Sequence, residues 1–156
     1  MKTTCLTVSL LVMAWVGAVL IASPAQAQTT VATSARGDAL FKSLGEKTGL
    51  VKLVDDFVNR LREDPRIGAQ FKSTNLKNLK AQLTDQFCAV SGGPCVYEGD
   101  SMKAAHASLK ITKGDFNALV EVLQQSMDAR GIAFTTQNQL LALLAPMHRD
   151  VITVKP

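Results

Sequence analysis

The chain has 156 residues, a formal net charge of +4, one tryptophan and one tyrosine. That length suits one domain with a single core, and weak, scattered positive charge with so few stacking aromatics excludes a nucleic-acid surface. An apolar content of 47% excludes a chain disordered throughout.

Residues 1–27 read as a secretory signal peptide. Lys2 precedes an apolar run from Leu6 to Ile21, broken only by Thr7 and Ser9, and Ala25-Gln26-Ala27 supplies the small-x-small pattern of a cleavage site. An uncleaved membrane anchor is the alternative, since the run nears the lower length limit for spanning a bilayer. Cleavage predicts an exported, periplasmic protein with no stable membrane insertion. Residues 28–37 are polar, small and aperiodic and are expected to form a flexible leader, leaving 38–156 as the folded domain.

Everything after the leader has helical periodicity, and no period-two run is long enough for a strand. A short helix over 38–44 leads through Gly45 to a longer one over 48–63, whose Leu50, Val51, Val54, Phe57, Val58 and Leu61 keep the spacing of a buried face. Asp64-Pro65 breaks it, and a brief turn carries Ile67 and Phe71. Thr74-Asn75 has the chemistry of an N-cap for a helix over 76–90. Leu76, Leu79, Leu83, Phe87 and Val90 share one stripe of that helix, with Lys77, Lys80, Thr84 and Asp85 turned elsewhere.

Ser91-Gly92-Gly93-Pro94 is a strong stop signal. Cys88 and Cys95 flank it, an even pair in an exported domain, and predict a disulfide; a redox-active pair is the alternative, although the spacing is not Cys-x-x-Cys. Asp100 or Ser101 can cap the short helix that bears His106. Thr112-Lys113-Gly114-Asp115 has the spacing of a capping box and opens a helix with Phe116, Leu119, Val120, Leu123 and Met127 inward, closed by Gly131. A last helix over 136–151 packs Leu140, Leu141, Leu144, Met147 and Val151, with a kink at Pro146. The class is all-α, a bundle of about six helices.

No Gly-x-Ser-x-Gly turn or phosphate loop is present, the dispersed acids give a paired-carboxylate site little support, and the absence of Cys-x-x-Cys-His excludes covalent c-type haem attachment. Two distant histidines do not make a zinc site. His148 reads as a helix-terminal cation. His106 is different: a lone imidazole on a short helix beside Met102, Leu109 and Ile111, facing an all-helical apolar shell, has the chemistry of a single proximal haem ligand, with ordinary packing as the alternative.

The order of these features decides the point. LFKSLG at 40–45, LVDDFVNRLREDPRI at 53–67, Phe71, TNLKNLKAQL at 74–83, SGGPCVYEG at 91–99, MKAAHASLKIT at 102–112, Asp115-Phe116 and LLAPM at 143–147 carry a likeness over almost the whole folded part. From Leu40 to Val154 the chain resembles the truncated haemoglobins of the first group, globins with a two-over-two helical sandwich. The resemblance implies haem b (iron protoporphyrin IX), with His106 as the iron ligand. It implies Phe71, Leu76, Leu79, Lys80, Leu83, Phe87, Tyr97, Met102 and Phe116 as residues around the haem, and Gly92-Gly93 as the pair that releases the chain towards His106.

Two departures stand out. Members of the family show a glycine pair after the first helix, and here Gly45 is followed by Glu46. Many also carry a tyrosine on the second helix and glutamine on the fifth that hydrogen-bond a gas ligand, where this chain has Val58, Leu79 and Leu83. The resulting distal pocket of Phe57, Val58, Leu79, Gln82 and Leu83 is apolar unless Gln82 or Gln86 turns in. The expected partner is a diatomic gas, oxygen, carbon monoxide or nitric oxide, held reversibly in an oxygen-binding or transport role. Nitric oxide detoxification with an external reductase and a haem-free helical periplasmic adaptor are the alternatives.

Overall fold

The computed structural model describes residues 37–154, so the signal peptide and nearly all of the predicted leader lie outside the described residues. Every regular element among them is helical. In chain order they are α1 (Ala39–Ser43), α2 (Glu46–Glu63), a 3₁₀ turn (Gly68–Phe71), α3 (Leu76–Val90), α4 (Met102–His106), α5 (Lys113–Ala129), α6 (Phe134–Leu144), a second 3₁₀ turn (Ala145–Met147) and α7 (His148–Val151).

Local chemistry sets most of the boundaries. Asn75 caps α3 by accepting the Asn78 N–H at 3.1 Å, and Ser101, not Asp100, caps α4 through the Ala104 N–H at 3.2 Å. At α5 the box is complete: the Asp115 N–H donates to the Thr112 hydroxyl (3.1 Å), and the Thr112 N–H donates back to the Asp115 carboxylate (2.8 Å). Two orphan donors of the first turn are thereby satisfied. Pro146 does more than kink the last helix, since it splits 136–151 into α6, a 3₁₀ turn and α7.

The turn between α1 and α2 shows what the missing glycine costs. Gly45 (φ 82°) and Glu46 (φ 57°) are both left-handed, a conformation that costs a side-chain-bearing residue roughly 1 kcal/mol or more. In return α2 begins two residues earlier than its apolar pattern indicates.

Helix α2 is the spine. It packs on α3 along one side and on α5 along another, α6 lies against α5 and α1, and α7 lies against α4. Leu50, Leu53, Val54, Phe57, Val58 and Leu61 are buried in it and meet Phe87 and Cys88 of α3, Val122, Leu123 and Met127 of α5, and Leu140 of α6. Two expectations fail at the edges of stripes. Val51 is 50% exposed, because its direction on α2 falls about 100° from that of Leu50, while Leu53 takes the inward place. Thr84 is buried, its hydroxyl satisfied by the Lys80 carbonyl at 2.8 Å.

Candidate haem cleft

The five residues of α4 are too few to bury an apolar face, and none of its side chains is buried. Its position is imposed by the loops on either side and by α7. Within it, His106 Nδ1 lies 2.7 Å from the Met102 carbonyl oxygen, one turn back. A carbonyl only accepts, so Nδ1 carries the hydrogen, and in the Nδ1–H tautomer Nε2 keeps a lone pair that no hydrogen bond among the described residues uses. That tautomer is the one a metal-ligating histidine uses, with its second nitrogen oriented by a backbone acceptor.

The opposite wall is α3. Leu76, Leu79, Leu83 and Val90 pack against the core yet remain half-buried, an apolar row that no other part of the described chain fully covers. Helix α4 borders the same space, because the Gln86 amide of α3 donates to the Met102 sulfur at 3.4 Å and to the Met147 sulfur at 3.6 Å. Gln86 is only 7% exposed. Thioethers are weak acceptors, so this is a buried amide held by soft partners where α3 meets α4 and the second 3₁₀ turn.

The other expected residues fall into groups. Phe71 and Phe116 are half-buried at the margins, Phe116 with its ring 6.2 Å from that of His148. Phe57, Val58 and Phe87 belong to the core against which the α3 row packs and are almost wholly buried, with Phe57 and Phe87 at 6.5 Å between ring centres. Tyr97 serves the loop: its hydroxyl donates to the Asp100 carbonyl at 2.8 Å, and burial, then the Asp100 charge, push its phenol above the ordinary range, so it stays a donor. Gly93 permits close approach, because a Cβ there would lie 2.6 Å from both the Cys88 sulfur and the Phe41 ring. The sulfurs of Cys88 and Cys95 are bonded, tying the end of α3 to this loop.

Two residues lie elsewhere than expected. The ammonium of Lys80, expected around the haem, reaches Asp55 at 2.6 Å and Asn59 at 2.9 Å, so here it is spent on α2. Gln82 sets its carboxamide oxygen against Gly99, where a Cβ would come within 2.4 Å, so it faces the loop and not Leu79 and Leu83. Gln86, three residues from Leu83 and seven from Leu79, shares their face of α3, a signal already present in the sequence.

Among the described residues no three of His, Cys, Asp and Glu gather as a metal site, and no helix is long and apolar enough to cross a membrane. A single imidazole opposite a leucine row fits a flat apolar group that brings its own metal and four of its donors. The donor set therefore suits haem.

Comparisons with known proteins point the same way. Residues 39–153 match the family described as bacterial-like globin. A group 1 truncated hemoglobin of Mycolicibacterium paratuberculosis is 28% identical over 115 residues, 74% of this chain and 85% of the relative. One from Tetrahymena pyriformis is 24% identical over 72% of this chain and 93% of its own length. In three dimensions the fold matches the truncated hemoglobin from T. pyriformis in its Fe(III) form with a TM-score of 0.70, covering 72% of this chain and 97% of that one. It matches the 2/2 hemoglobin from a Synechococcus species, solved with covalently attached heme, with the same TM-score at 22% identity, covering 74% and 98%.

Proposed function

The chain belongs to the bacterial-like globin family, and from that premise we propose that it binds haem b through His106 and holds a diatomic gas reversibly beside an apolar wall. The observation that carries the proposal is the His106 ring, its Nδ1 fixed on the Met102 carbonyl and its Nε2 without a hydrogen-bond partner among the described residues, on a helix joined to α3 by the Gln86–Met102 contact. When bound, haem would supply the iron that takes the gas. His106 would hold it through Nε2, Leu76, Leu79 and Leu83 would exclude water, and Phe57 and Phe87 would back that row.

The identity of that wall bears on which gas is kept. Dioxygen gathers negative charge when held and gains from an N–H or O–H donor, whereas carbon monoxide gains little. Val58, Leu79 and Leu83 offer no donor, which favours quick release of oxygen and weak discrimination against carbon monoxide. The same bareness favours reversible binding over nitric oxide detoxification, which needs retained oxygen and an outside reductase. The signal-peptide pattern at 1–27 and the Cys88–Cys95 pair support export to an oxidising compartment.

Haemin titrated into the purified chain is expected to give a Soret band at one equivalent, and His106→Ala to lose the axial bond and most of the pigment. A wild-type chain with no Soret shift, or a His106→Ala variant with an unchanged ferrous spectrum, refutes the assignment.

A further inference from the structure

The segment that carries His106 is fastened from far along the chain. Residues 107–112 join α4 to α5, and the piece of chain after α7 lies across them. The Ile111 N–H donates to the Thr153 hydroxyl at 2.9 Å. The Thr153 and Val154 N–H groups both donate to the Ile111 carbonyl at 3.0 Å. The same Thr153 hydroxyl donates to the Leu109 carbonyl, so it accepts and donates at once, as only a hydroxyl at this point can.

From there the chain of bonds continues to the ring. The Leu109 N–H donates to the His106 carbonyl at 3.0 Å, and His106 Nδ1–H donates to the Met102 carbonyl at 2.7 Å. Every link between Thr153 and the imidazole is therefore a hydrogen bond to or from the backbone. Helix α4 buries no side chain of its own, so little else holds the ring's direction. Packing of α7 on α4 brings the strap to the right place, and the extended backbone of Ile152 (φ −76°, ψ 114°) turns it across the loop.

We propose that Thr153 is a positioning residue for His106: its hydroxyl locks the loop behind the histidine and so sets the aim and retention of the axial bond. The proposal rests on the haem reading above. Partners bonded directly to a metal-ligating histidine commonly change affinity by ten- to a hundredfold; Thr153 acts one link further out, through Leu109, so about tenfold, the worth of one lost hydrogen bond, is the upper figure expected.

The test compares Thr153→Val, which keeps shape and removes the hydroxyl, with Thr153→Ser, which keeps the hydroxyl. Three readouts are taken: haem transfer to excess apomyoglobin, the iron–histidine stretching band of the ferrous gas-free protein by resonance Raman, and amide hydrogen exchange at Ile111 in the haem-free chain. Thr153→Val is expected to lose haem faster, by up to about tenfold, to shift or broaden the band, and to lose protection at Ile111, with Thr153→Ser close to wild type in all three. Unchanged haem loss and band in Thr153→Val overturn the proposal while leaving haem binding intact, and equal damage by Val and Ser reduces Thr153 to packing. A Thr153→Val chain that fails to fold is replaced by Thr153→Ala, read in the same way. Should wild type take up no haem, the premise falls and the proposal with it, whatever the exchange data show.

Discussion

Leu83→Gln tests the bareness of the gas side directly. Val58→Tyr would restore a more familiar donor, but Val58 is 0% exposed beneath α3, and forcing a phenol there costs about 1–3 kcal/mol in overpacking. Leu83 is half-buried on the cleft row, and glutamine has similar length, so the backbone has no reason to move. The loss of part of a buried leucine amounts to about 1 kcal/mol, or a fall of about 3 °C in melting temperature for a domain of this size. Against that, one new N–H donor beside a gas that gathers negative charge is worth about 1–2 kcal/mol, an oxygen release slower by about 5- to 30-fold. Stopped-flow displacement of oxygen by excess carbon monoxide measures it, and carbon monoxide release should move less than threefold. An oxygen off-rate within twofold of wild type, in a variant with a normal Soret band, refutes the apolar reading of this wall.

Removing the Cys88–Cys95 bond by double substitution to alanine should lower unfolding free energy by about 2.5 kcal/mol, from the short loop it closes; urea denaturation with and without reductant reads this, and a loss below about 0.5 kcal/mol contradicts it. The Thr112–Asp115 box should respond to acid. The Thr112 hydroxyl, then its N–H, hold the Asp115 carboxyl below its ordinary value of 3.8, so the box contributes fully above that value and its contribution fades as pH falls through the lowered one. Thr112→Ala should cost about 1 kcal/mol at pH 7, and Asp115→Asn should flatten the acid limb of stability, with identical limbs in wild type and variant counting against the box.

Helix ends were legible because they are short-range chemistry. Asn75, the Thr112 box and Gly92-Gly93 each act within four residues, and the structure keeps them as the sequence has them. The spacing from the glycine pair to His106 is local in the same sense. Stripe edges were harder, since periodicity gives the centre of a buried face and not its width: Val51 and Thr84 fall on the wrong side by about one residue's rotation. The contacts of Lys80 are not legible in sequence because its partners, Asp55 and Asn59, sit 25 and 21 residues away on another helix. Gln86 was readable from its face, yet not its two methionine partners, one of them 61 residues on. Thr153 offered no pattern whatever, since its role exists only where two distant segments cross.

That crossing has a consequence for the order of assembly. The Cys88–Cys95 bond spans a sequence separation of 7, so the near end of the histidine-bearing segment can be tied as soon as it emerges. The far end waits, because Thr153 lies 44 residues beyond Leu109, and α5, α6 and α7 must be made and docked before the strap can close. A chain emerging from its N-terminal side therefore presents His106 first as half of an open jaw. On the proposed role of Thr153, a cofactor arriving early would meet an imidazole held only by its own turn of helix, and one arriving late an imidazole backed by the closed strap.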